Sequence, residues 1–177
     1  MKKVFALTVV ALLSIAVSAK AADLKIGVVN FQKALNEVEQ GKKAKGLLKS
    51  EFDAKQKKLN LQQEELKKMQ GDFEGQKSVL SQDALATKQK TFNDKYVELQ
   101  KNMEQYRADL LSKDSKITSQ ILQNLRSVVQ EIGQKGGFTL VVEASQDAVL
   151  YVQSKEDLTT RVISDYNKKF SGPLKTE

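Results

Sequence analysis

The chain has 177 residues, with 29 lysines and arginines against 22 aspartates and glutamates, and it contains no cysteine, histidine or tryptophan. Disulfides, thiol catalysis and cysteine-based zinc sites are therefore excluded. The basic excess is concentrated between residues 31 and 135, where 20 basic residues face 15 acidic ones.

The first 21 residues read as a leader. Lys2 and Lys3 precede an apolar run from Val4 to Val17 broken only by Thr8 and Ser14, and Ala19-Lys20-Ala21 fits the small-x-small cleavage rule. The run is shorter than the ~20 residues that span a bilayer, so a cleaved signal with a mature start at Ala22 is expected. Export argues against nucleic acid as a partner for the basic stretch. Acidic polypeptides or anionic lipid head groups fit better.

Leu24 to Val29 is rich in β-branched residues and predicts a short, mostly buried strand. Asn30 is a good N-cap for a helix starting at Phe31. That outgoing helix repeats Phe52, Leu59, Leu66 and Phe73 at spacing seven, but other seam positions near Lys45, Lys55 and Gln62 are polar. So sparse a seam suits an arm wet on most sides. Glu39 with Lys43, Glu51 with Lys55, Asp53 with Lys57 and Glu64 with Lys68 predict i,i+4 ion pairs, each adding roughly 0.2–0.5 kcal/mol. Gly41, Gly46, Gly71 and Gly75 weaken this helix, so the outgoing arm is expected to bend or fray more easily than the return arm, especially between Gly71 and Gly75.

A turn follows near Gln76 to Ser81, with Ser81 as N-cap and Asp83 in the first turn of a return helix. On that helix Phe92, Leu99 and Tyr106 repeat by seven, as do Tyr96, Met103, Leu110 and Ile117, predicting a strict seam toward the outgoing helix. The stripe continues through Ile121, Leu125, Val128 and Ile132 at looser spacing. Two helices of ~45 and ~52 residues joined by so short a turn must lie antiparallel, roughly 65–80 Å long. Gly136-Gly137 ends the return helix. Phe138 to Val142 and Val149 to Val152 predict two strands in a hairpin. Ser154 to Asp157 reads as a capping box opening a last helix, whose apolar face is Leu158, Val162, Tyr166 and Phe170. Gly172-Pro173 stops it.

The predicted fold is α+β. Residues 22–30 and 136–171 form a β-rich head of about three strands and a helix, and residues 31–135 form a long helical hairpin inserted between strands 1 and 2. A head of ~50 residues with open sheet edges is marginal alone, which predicts an oligomer. Ile26, Val28, Leu140, Val142, Leu150 and Val152 are the candidate oligomerisation residues. The sequence shows no metal-ligand cluster, nucleophile-base pair or glycine-rich phosphate loop. No cofactor and no enzymatic activity are expected.

The signal peptide, the strand Ile26-Gly27-Val28-Val29-Asn30, the charged helical hairpin, and the closing Phe138–Val142, Val149–Val152 and Asp157-Leu158-Thr159 together resemble the Skp/OmpH family of periplasmic chaperones for outer-membrane proteins. The similarity runs from about Asp23 to Phe170. It implies a homotrimer whose heads pool their strands into a β-barrel body, with helical tentacles around a cavity that holds unfolded outer-membrane proteins without ATP in the periplasm. On that reading, Lys42, Lys43, Lys45, Lys49, Lys57 and Lys58 attract acidic clients, and Phe73, Val79, Leu80 and Leu85 near the tip touch them. Some members of the family are proposed to bind lipopolysaccharide through a lysine and an arginine pair. Lys95 occupies a comparable place, but Arg107-Ala108-Asp109-Leu110 lacks the pair. A periplasmic coiled-coil spacer, a lipopolysaccharide or anionic-lipid binder and, were the leader to fail, a DNA-compacting protein are the alternatives.

Overall fold

A computed structural model describes residues 24–144, 151 and 155–173. The expected leader, the strand residues Val149, Leu150 and Val152, and Ser154 lie outside them. In chain order the elements are β1 (Ile26–Val29), α1 (Phe31–Glu37), α2 (Glu39–Gln76), α3 (Gln82–Gly136), β2 (Leu140–Glu143), β3 (Glu156–Asp157) and α4 (Thr159–Lys169).

The three strands form one sheet in the order β2-β1-β3, with both pairings parallel. The partner of β2 is β1, reached through the long helical excursion; the expected hairpin of β2 with Val149 to Val152 falls outside the described residues except for Tyr151, which is exposed and not in a strand. A parallel pair needs a crossover, and α1 to α3 supply it. The capping-box reading fails. Glu156 and Asp157 are strand residues, and α4 begins two residues later. Asp157 still caps, because its Oδ1 accepts from the Thr159 backbone N–H at 2.8 Å. The Thr159 hydroxyl oxygen in turn accepts from Asn30 N at 3.0 Å, tying the end of β1 to the start of α4.

Successive strand residues face opposite sides. Val29 and Val141 turn inward onto a core made by Ala34, Val38, Ile121, Leu125, Leu158, Val162 and Tyr166. Gly27 lies on the same side because nothing larger fits. A Cβ there would stand 2.6 Å from Leu158 Cδ1. The core explains why the apolar spacing on α3 loosens after Ile117. Up to that point α3 faces one helix, and beyond it α3 is packed by α1 and α4 as well.

Asn30 caps α1 as expected, its side chain accepting from Lys33 N at 2.7 Å. The outgoing helix is not continuous, however. It breaks at Val38, whose backbone is extended with ψ 145°. The chain turns so sharply there that a Cβ on Gly41 would lie 1.9 Å from the Leu35 carbonyl oxygen. The side chain of Asn167 accepts from Glu39 N at 2.9 Å and so caps α2 from another element. Between Gly71 and Gly75 α2 continues as one helix to Gln76.

Ser81 caps α3, accepting from Ala84 N at 3.3 Å. Gly137 ends it in the left-handed conformation, φ 63°, which glycine adopts without strain. At 1.5 Å per residue α2 and α3 are roughly 57 and 82 Å long, and α3 outruns α2 into the core.

Candidate functional site

The hairpin of α2 and α3 carries the features that could engage a partner. Its interior is thin. Leu59, Leu66 and Leu99 are buried, with Phe92 and Tyr106 packed against them. Between these apolar layers the helices are joined by polar side chains. Lys55 Nζ meets Asp109 Oδ2 at 3.2 Å and sits 4.2 Å from the Tyr106 ring centroid. Asn102 donates to Gln62 at 3.3 Å, Lys95 pairs with Glu65 at 2.8 Å, and Lys113 pairs with Glu51. The descending partner numbers show the antiparallel arrangement directly.

Several expected pairings change accordingly. Glu51 and Lys55 do not pair along α2 but each reach across to α3. Asp53 takes Lys49 at 3.1 Å and Glu39 takes Lys42 at 3.3 Å. A cation that can choose between a same-helix acid and a cross-helix acid gains apolar contact for its stem in the second case.

Apart from Lys113, which stands on the seam itself seven beyond Tyr106, the cross-helix pairs lie along one edge of the seam. Lys55 and Gln62 each stand three residues beyond a seam residue, Phe52 and Leu59. Lys95, Asn102 and Asp109 stand three beyond Phe92, Leu99 and Tyr106. A step of three turns a helical side chain to one side of its seam and a step of four to the other. In antiparallel neighbours equal steps reach the same side of the pair. Tyr96, Met103 and Leu110, four beyond the seam residues, are therefore on the opposite edge. The strict double seam expected for α3 is thus corrected. One of its two series faces α2, while Tyr96 is 50 % and Met103 41 % exposed. The facing positions on α2 are Gln56, Gln63 and Gln70, which offer no apolar surface to enclose them. That run of glutamines was the available signal in the sequence.

The candidate lysines Lys42, Lys43, Lys45, Lys49, Lys57 and Lys58 are all exposed. Lys42 and Lys49 share one heptad position and Lys43 and Lys57 another, with Lys45 and Lys58 on two more. The charge is spread around α2 instead of forming a stripe. Among the described residues, Lys43, Lys45, Lys57 and Lys58 make no ion pair. Lys95 is engaged with Glu65, and the hydrogen bond and charge of that carboxylate hold its ammonium above the usual lysine range.

Near the tip, Phe73, Leu80 and Leu85 are half-buried, and Val79 projects with 78 % of its surface exposed. Below the turn, Met69, Phe73 and Phe92 line an open groove of about 410 Å³, bordered by Asp72, Lys77 and Lys88. At the other end, Ile26 lies beside Leu140 and Val28 beside Val142 in the parallel register, so these four share the sheet face turned away from the helices. Val28 is buried, whereas Leu140 is 53 % exposed. The remaining candidates, Leu150 and Val152, fall outside the described residues.

Residues 25–166 match the family model described as outer membrane protein (OmpH-like). The chain belongs to the OmpH-like family. Within reach of it is the Skp-like protein of Pseudomonas aeruginosa, 26 % identical over 147 residues, which cover 83 % of this chain and 86 % of the relative. The OmpH-like architecture is also found in the crystal structure of an OmpH-like outer membrane chaperone from Caulobacter crescentus CB15. Its TM-score is 0.76 at 18 % identity, over 85 % of this chain and 87 % of that one. At that identity the likeness concerns the fold: a small sheet carrying a long helical hairpin.

Proposed function

We propose that this protein is an ATP-independent holdase of the periplasm, which captures unfolded outer-membrane proteins between helical arms and keeps them from aggregating. The observation that carries the reading is the hairpin itself. Its helices run far beyond the packed core, enclose only a thin interior, and leave both cations and apolar side chains in solvent. An element so poor in core is not there to stabilise a compact body. Membership of the OmpH-like family supports the same role.

In this reading residues 1–21 direct export, residues 22–30 with 136–171 form the oligomerising head, and residues 31–135 form the arm. Three heads associate through the sheet face of Ile26, Leu140 and Val142 into a homotrimer. The arms then surround a space from which other client copies are excluded. Unfolded barrel strands expose alternating apolar residues and aggregate by strand pairing. Many weak contacts hold them while each contact stays exchangeable. Lys43, Lys45, Lys57 and Lys58 speed the approach of acidic chains.

The test uses the mature chain and a urea-unfolded outer-membrane β-barrel protein. Dilution of the client into buffer should give turbidity that disappears near one chaperone trimer per client. Light scattering should return about three times the chain mass alone and one added client mass in the mixture. A stable monomer, or turbidity unaffected by the protein, would sink the reading.

A further inference from the structure

The two edges of the hairpin seam are chemically different, and only one carries side-chain pairs between the helices. On one edge the side chains are consumed by each other, in Lys55 with Asp109, Gln62 with Asn102, and Lys95 with Glu65. On the other edge lie Tyr96, Met103 and Leu110 from α3 beside Gln56, Gln63 and Gln70 from α2. From Gln56 to Gln70 on α2, and from Gln89 to Leu110 on α3, these two heptad positions carry no charge. In a hairpin so densely charged, that is an uncharged face some 20 Å long at ~1.5 Å rise per residue.

We propose that this neutral face is where an extended segment of unfolded polypeptide lies along the arm. The inference rests on the holdase reading and deepens it, because it assigns client contact to one face rather than to the lysines or the tip. Extended chain rises ~3.3 Å per residue, so the face accommodates about six residues. An extended backbone brings unpaired N–H and C=O groups. Gln56 donates to Asn60 at 2.9 Å and Gln70 to Glu74 at 3.5 Å along their own helix, which leaves each a second N–H and its carbonyl oxygen, so a donor and an acceptor remain for whichever backbone group arrives, whatever the client sequence. Tyr96 and Met103 give apolar contact at two points along the segment, methionine adapting to varied shapes.

The same composition argues against a second copy of the arm as the occupant. Packing two such faces together with the arms running the same way would press Gln56, Gln63 and Gln70 of one copy against Tyr96 and Met103 of the other, which offer those amides little in return. Amides removed from water without partners cost free energy. A client backbone supplies those partners, and the absence of charge matches a strand whose exposed side chains are apolar.

The chain has no cysteine, so single-cysteine variants of the full mature protein report one position each. Met103→Cys on the face, and Leu61→Cys and Val97→Cys on outward positions, are labelled with benzophenone and irradiated with a urea-unfolded outer-membrane β-barrel protein. Crosslinking from Met103→Cys should exceed both others severalfold. Independently, the double variant Tyr96→Lys/Met103→Lys should weaken client binding about tenfold, and Leu61→Lys/Val97→Lys by less than about twofold. All four substituted side chains are exposed, so circular dichroism should show helix content unchanged. Equal crosslinking from all positions, or unaltered affinity of the double variant, overturns the face assignment while leaving client capture in place. Crosslinks between chaperone copies at Met103→Cys without client show a self-contact and overturn it too. Failure of the unsubstituted protein to bind the client removes the holdase reading and this inference together.

Discussion

Tyr166 illustrates how much single side chains govern at the root of the arm. It is fully buried on α4, and its hydroxyl donates to Gln40 Oε1 at 2.5 Å, while Gln40 Nε2 donates to the Gly172 carbonyl at 2.7 Å. Burial pushes the Tyr166 phenol above its ordinary value, against a smaller opposing effect from Asn124. The folded state therefore favours the protonated phenol. Its contribution to stability is complete below the unfolded value of about 10 and is lost as pH rises through the folded one. The melting temperature should fall above about pH 10, and Tyr166→Phe should flatten that fall. At neutral pH the same variant should cost roughly 1–2 kcal/mol in a urea titration, because Gln40 keeps a buried acceptor without its donor. Asp157 has the opposite sign. Hydrogen bonds from the Thr159 side chain and backbone hold its carboxyl below the usual range. The stability it adds is present above about pH 4 and lost as pH falls through the folded value. Asp157→Ala should cost about 1 kcal/mol near neutrality and much less at pH 2, whereas Asp157→Asn, which keeps an acceptor for Thr159 N, should cost less throughout.

Among the elements, α1 and α2 show where sequence reasoning stops. Asn30, Ser81 and Gly137 announce helix ends by local chemistry, and the caps are found where that chemistry puts them. The apolar face of α4 was equally legible, since Leu158, Val162 and Tyr166 are all buried. The break at Val38 was not legible, because Val38 fits the helical stripe and the groups that cap α2 and seat Gln40 belong to α4 and the residues after it, more than 120 positions away. Nor did two residues as polar as Glu156 and Asp157 read as a strand. Their pairing is decided by the edge of β1, not by their own propensity. The edge face of the hairpin was misread for a related reason: spacing of seven reports that Tyr96 and Met103 lie on one stripe, but what covers the stripe depends on α2. The four glycines of α2 now divide sharply. Gly41→Ala should destabilise the protein by more than about 2 kcal/mol, since its Cβ would meet the Leu35 carbonyl oxygen and the backbone must move. Gly71→Ala and Gly75→Ala meet nothing within 4 Å and should stabilise it by about 0.5–1 kcal/mol each. Guanidinium titrations of the three variants would decide the matter, and a neutral Gly41→Ala would contradict the tight turn.

At the scale of the molecule, charge and apolar surface act at different stages of capture. The free lysines of α2 are exposed and dispersed, so they raise the encounter rate with acidic chains and lose that effect once salt shortens the Debye length to about 3 Å at 1 M. The neutral face is insensitive to that screening. Client association measured by stopped-flow fluorescence should therefore slow markedly in high salt, while dissociation changes little. Capture that vanishes outright in salt would make charge the main holding force. The head sets whether there is an enclosure at all. Leu140 exposes 53 % of its surface on the sheet face shared with Ile26 and Val142, and it makes no contribution to the protomer core. Leu140→Lys consequently leaves the protomer fold intact but places a cation where copies would meet, and a charge buried there without a partner costs several kcal/mol. Light scattering of this variant should show monomers with undiminished helix content, and holdase activity should fall with the mass, because one arm binds but does not enclose. A Leu140→Lys protein that keeps the mass of the unsubstituted one would move the assembly surface off this face of the sheet.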